Sequence, residues 1–81
     1  MKIPRDIGYI ELINSLKKFG YTPARQSGSH IRLTAKINGK THNITIPAHK
    51  PIKIGTLNAI INELSNILEI SKAELIKKLF G

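Results

Sequence analysis

Apolar residues change their spacing twice along this chain. From 7 to 19, Ile10, Ile13, Leu16 and Phe19 recur at the i, i+3 interval of one helix stripe, and Leu12 widens it. Asp6 stands where an N-cap is expected, Gly20 ends the helix, and Lys17 and Lys18 complement the dipole of its last turn. Between 22 and 47 the pattern is that of three short strands, broken by Ser27-Gly28 and Asn38-Gly39 as turns. A two-residue turn at Asn38-Gly39 sets Leu33 opposite Ile44 and Ile31 opposite Ile46, so that all four share a face. The same treatment of Ser27-Gly28 pairs Ala24 with Ile31 on that face and sets Arg25 opposite His30 on the other. The open face then carries Arg25, His30, Arg32, Thr34, Lys36, Asn43 and Thr45.

Helical spacing returns after a loop over 47–54. Gly55-Thr56 opens a helix with Leu57, Ile60, Ile61, Leu64 and Leu68 as its stripe and Thr56 as its expected cap. Ser71 and Glu74 form a capping box, flanked by Ile70 and Leu75 as a hydrophobic staple, and predict a short final helix. No repeat, low-complexity segment or long linker divides the chain, so 1–81 is expected to form a single domain. The predicted order is α-β-β-β-α plus a short C-terminal helix, an α+β class with helices on one face of a three-stranded antiparallel sheet. That is the order of the double-stranded RNA-binding fold, whose members reach RNA through backbone and 2′-OH contacts.

Composition narrows the partner. The chain has 81 residues, with 13 Lys and Arg against 5 Asp and Glu, for a net charge of +8. Such a length holds one two-layer core and excludes large multi-domain enzymes. With no Cys, disulfides, thiolate metal sites and a Cys nucleophile are excluded. No apolar run approaches the roughly 18 residues of a membrane span, and the segment from Met1 to Asp6 lacks a signal-peptide core; a soluble cytoplasmic protein is expected. Four aromatics, Tyr9, Phe19, Tyr21 and Phe80, leave little for base stacking.

The charge is unevenly placed. Residues 23 to 55 hold Arg25, Arg32, Lys36, Lys40, Lys50 and Lys53 and no acid; no carboxylate occurs between Glu11 and Glu63. A charge run is often only a solvated face. The complete absence of acids favours a polyanion site.

Three histidines have side chains able to move protons near neutral pH. His30, between Arg25 and Arg32 on the open face, is suited to take the proton of a ribose 2′-OH while guanidiniums stabilise phosphate charge; the alternative is a surface His on a basic sheet. His42 falls on the core side near Ala35, where partial burial is its ordinary explanation. His49 lies in the loop near Lys50 and Lys53, placed to touch phosphate or to fix the loop. The amino end of the second long helix, beside Lys50 and Lys53, is a further phosphate position, unless Thr56 simply caps it. The three His are separated by eleven and six residues, which matches no ligand pattern, so neither metal nor cofactor is expected.

The run Tyr21-Thr22-Pro23-Ala24-Arg25-Gln26-Ser27-Gly28-Ser29-His30, after a helix ending Lys17-Lys18-Phe19-Gly20, resembles the signature of the HicA toxin family. Ile46-Pro47-Ala48-His49 and Gly55-Thr56-Leu57-Asn58-Ala59-Ile60 are similar to its later motif. The resemblance covers nearly the whole chain. It implies a small RNA-cleaving toxin of the double-stranded RNA-binding fold, with a single catalytic His that maps on His30, Gly28 in the tight turn before it, Ser29 as the motif serine, and a HicB-type antitoxin as partner. It assigns no comparable role to Arg25, Arg32, Lys50 or Lys53, whose roles rest on charge and register; together with Lys36 and Ser29 they are expected to bind RNA. Two features depart from the family pattern: the segment Asn62 to Glu69 is longer than its usual second helix, and the end from Ser71 is well marked as a helix. The expected activity is endonucleolytic cleavage of mRNA by a free monomer. The rivals are a non-catalytic RNA-binding module and an inactive relative that only binds the antitoxin.

Overall fold

The structure, a computed structural model, describes residues 3–81. Met1 and Lys2, at which the expected domain and the expected leaderless start begin, lie outside the described residues. Helix α1 spans Tyr9–Leu16 and continues into a 3-10 turn, Lys17–Phe19, which Gly20 ends in the left-handed region at φ 89°. Strands β1 (Thr22–Ser27), β2 (His30–Ile37) and β3 (Lys40–Pro47) form an antiparallel sheet in sequence order, followed by α2 (Ile54–Leu68) and α3 (Lys72–Phe80). The α+β architecture expected from the pattern is the one observed.

The second hairpin has the expected register: Leu33 faces Ile44 and Ile31 faces Ile46. Asn38 and Gly39, at φ 52° and 78°, supply the two positive φ values of a type I′ turn. All four apolar residues are buried, together with Ala35, while Arg32 and Thr45 between them are exposed. The other side of the core comes from Leu12, Ile13 and Leu16 of α1, Leu57, Ile60, Ile61 and Leu64 of α2, and Leu75, Ile76 and Leu79 of α3. α3 packs on both α1 and α2. Its start is the predicted one, with the Ser71 hydroxyl accepting from the Glu74 N–H at 3.1 Å.

Several local expectations are corrected. The first turn is Gly28-Ser29 rather than Ser27-Gly28, because Gly28 supplies the positive φ, 58°, at the first central position. Ser27 therefore faces His30, Gln26 faces Ile31, and Arg25 faces Arg32. A bulge between Pro23 and Arg25 removes Ala24 from the pairing and leaves it exposed, so Ala24 does not join the core. Asp6 is not the cap of α1: it sits at φ 62°, and Gly8 holds the cap position with no side-chain bond. The chain there is tied to the 47–54 loop instead, Tyr9 N–H donating to the His49 carbonyl at 3.2 Å and Ile52 N–H to that of Ile7 at 2.8 Å. Starting at Tyr9, α1 centres its buried face on Leu12 and Leu16, and Ile10 turns out to 60% exposure. Thr56 is likewise not a cap, since α2 begins two residues earlier, after Lys53, again with no side-chain cap.

Candidate functional site

The corrected first hairpin builds the site. Moving the turn by one residue shifts the pairing by two, which takes Arg25 from His30 to a position directly opposite Arg32 and brings Ser27 opposite His30. Arg25, Ser27, His30, Arg32 and Thr45 line one hollow on the open face of the sheet. All five are exposed. Directly opposed like charges on a strand pair repel and destabilise it. No carboxylate lines the hollow to offset that repulsion, and the ion pairs among the described residues, His42–Glu63 and Lys78–Glu74, lie elsewhere. The arrangement is suited to an anion placed between two guanidiniums and an imidazole.

A second hollow adjoins the first through His30 and Thr45. It is completed by Pro47, His49, Lys53 and Thr56, so that the loop and the uncapped amino end of α2 face His30. Here too there is no acid. The hollows share His30, which stands between the guanidiniums and the loop.

The remaining expected site residues are distributed around this pair. Lys36 lies on the same face as Arg32, two alternations further along β2 and outside both hollows. Ser29 is in the turn, where its carbonyl accepts from Ala48 N–H at 2.6 Å. Lys50 lines a separate depression with Gly8, Tyr9, Ile10 and Glu11, on the α1 side of the loop. Ser27 was not among the residues expected at the site; the signal that finds it is the demand of Gly28 for the first turn position.

His42 has a different role. Paired with Ala35 and largely covered, it meets the Tyr21 hydroxyl through Nδ1 at 2.8 Å and a Glu63 carboxylate oxygen through Nε2 at 2.9 Å. A carboxylate only accepts, so this geometry assigns the ring proton to Nε2 and makes the Tyr21 hydroxyl the donor to Nδ1 in the neutral ring. Burial first, and the Glu63 charge second, hold the Tyr21 phenol above its ordinary pKa. The chain Tyr21–His42–Glu63 ties the sheet to α2 and stands apart from the two hollows. Among the described residues, no three His, Asp or Glu side chains converge as a metal-ligand set.

Fold and charge define a small basic protein of the double-stranded RNA-binding type, with Arg25, Arg32, Lys36 and one imidazole on the uncovered sheet face. The profile of the family described as HicA toxin of bacterial toxin-antitoxin systems matches residues 10–65, more than half of the chain. The chain belongs to the HicA toxin family, and membership implies an antitoxin partner. The matched stretch runs from α1 through most of α2 and contains both hollows, whereas α3 follows it. No curated protein and no solved structure matches the chain. No described helix is long and apolar enough to cross a membrane.

Proposed function

We propose that this toxin is an endoribonuclease acting on mRNA and that His30 is its general base. The observation that carries the reading is the exposed imidazole beside two directly opposed guanidiniums in a hollow without a carboxylate. A neutral His30 takes the proton of a ribose 2′-OH as the oxygen attacks the adjacent phosphorus, and Arg25 and Arg32 stabilise the charge that builds on the phosphorane oxygens. The products end in 2′,3′-cyclic phosphate or 3′-phosphate. Lys36, Ser29, Lys53 and Lys50 hold the flanking backbone. These steps use the chain's own side chains and call for no cofactor. The described core, shared by α1, α2 and α3 and by β2 and β3, supports reading 1–81 as one HicA-like domain; we read the free toxin as monomeric and cytoplasmic. A HicB-type antitoxin covering the basic face neutralises it by occlusion, and acidic residues on that partner suit the potential.

Replacing His30 tests the site. His30→Ala is expected to lower cleavage by about 10²- to 10⁴-fold, as loss of a general base does, and to relieve growth inhibition. The exposed position predicts unchanged thermal unfolding. A wild-type protein that binds RNA and produces no new ends under any condition favours the non-catalytic RNA-binding module instead, and 3′-hydroxyl products refute the 2′-OH mechanism.

A further inference from the structure

We infer that His49 is a second catalytic imidazole of this site, the acid that protonates the leaving 5′-oxygen. The inference rests on the nuclease reading above and supplies the proton that His30 alone leaves unassigned. Three observations carry it. First, His49 lines the same hollow as His30, on the side away from the Arg25–Arg32 pair. In-line displacement at phosphorus puts the attacking and leaving oxygens on opposite sides, so base and acid must approach from two directions.

Second, His49 is held in place although its side chain is exposed. Its own N–H donates to the Pro47 carbonyl at 2.8 Å, its carbonyl accepts from Tyr9 N–H at 3.2 Å, and Ala48 N–H donates to the Ser29 carbonyl at 2.6 Å. The last bond fastens the loop to the turn that precedes His30, so the backbone positions that carry the two imidazoles are tied to each other. Such fixation is what an acid-base pair needs, because small displacements of a catalytic group lower rates steeply. Third, the other polar groups of the hollow are poorer donors. Thr45 and Thr56 offer weakly acidic hydroxyls, and the remaining cation, Lys53, is of a side-chain type whose ammonium is in general a weaker acid than an imidazolium. His42, by contrast, has both ring nitrogens engaged by Tyr21 and Glu63.

The step balances. The 2′-oxygen bonds to phosphorus and its proton passes to His30; the bond from phosphorus to the 5′-oxygen breaks, and that oxygen takes the proton of the His49 imidazolium. A 2′,3′-cyclic phosphate and a 5′-hydroxyl result. Lys53 remains to stabilise phosphate charge.

A substrate whose leaving group needs no proton separates the two imidazoles. A site cut by the full-length wild-type protein is first mapped in a mixed-sequence RNA. An oligonucleotide carrying that site is then made in two forms, with oxygen or with sulfur as the bridging 5′-atom. On the oxygen form, His49→Ala and His49→Gln are expected to be slower than wild type by about 10²- to 10⁴-fold. On the sulfur form they should cleave within a few-fold of wild type, since a thiolate leaves unprotonated. His30→Ala should stay slow on both. Affinity for a 2′-deoxy analogue and thermal unfolding are expected to be unchanged in both His49 variants, which separates chemistry from folding and binding. His49 variants that match wild type on the oxygen form, or that are equally slow on both forms, overturn the assignment and leave His30 standing. A wild-type protein that cuts no RNA overturns the nuclease reading, and this inference with it.

Discussion

Gly28 decides which residue of β1 His30 faces. At φ 58° it adopts a backbone that L side chains avoid, so the turn is built on it as first central residue and the register of β1 against β2 follows. Tyr21 is a second residue with consequences beyond its size. It is fully buried, and its hydroxyl bonds to His42. Tyr21→Phe leaves that ring nitrogen without its donor and is expected to lower stability by about 1 kcal/mol in urea unfolding. The variant should also change the response to alkali. Because the folded state holds the phenol above its ordinary value of 10.0, wild-type stability is full below that pH and falls as pH rises above it. Tyr21→Phe should lack this component of the alkaline loss, and unfolding curves between neutral and strongly alkaline pH measure it.

Among the elements, turn chemistry was more legible than helix starts. Asn38-Gly39 satisfies both demands of its turn type locally, and the expected register held. Asp6 and Thr56 are good capping residues that do not cap, because backbone bonds between 7–9 and 49–52 set where the chain enters α1 and α2. No pattern within either helix reports a bond made across the fold. α3 shows the opposite case. Its box is local and intact, and Ser71→Ala is expected to cost about 1 kcal/mol, read from the thermal midpoint. The Ser65 hydroxyl, donating to the Ile70 carbonyl at 2.6 Å, keeps the turn between α2 and α3 closed, and Lys72 reaches the Asn58 side chain from the next helix.

At the scale of the molecule, the acid-free middle of the chain folds into an uncovered basic face. β1 is exposed along its whole length, while the helices cover the apolar side of β2 and β3. If Arg25, Arg32, Lys36, Lys50 and Lys53 each neutralise one phosphate of single-stranded RNA, log K should fall with log salt at a slope of about −3.5. The Arg25→Ala, Arg32→Ala double variant should flatten the slope to roughly −2 in a binding titration across salt concentrations. A slope unchanged by the double substitution removes the pair from the RNA contact. α3 and the carboxyl-terminal end of α2, which lie beyond the matched stretch, add surface on the side away from the open sheet face.

The residues themselves determined the order of elements, the second hairpin, the cap of α3 and the concentration of cations around His30. Each depends on neighbours within a few positions, where spacing and local geometry are sufficient. Tertiary structure alone decided that His42 is spent on Tyr21 and Glu63 and that His49 shares a hollow with His30. Those pairings join residues 19 to 21 positions apart, and they are set by the packing of the sheet on α2 and by backbone bonds between loop and turn that no periodicity encodes.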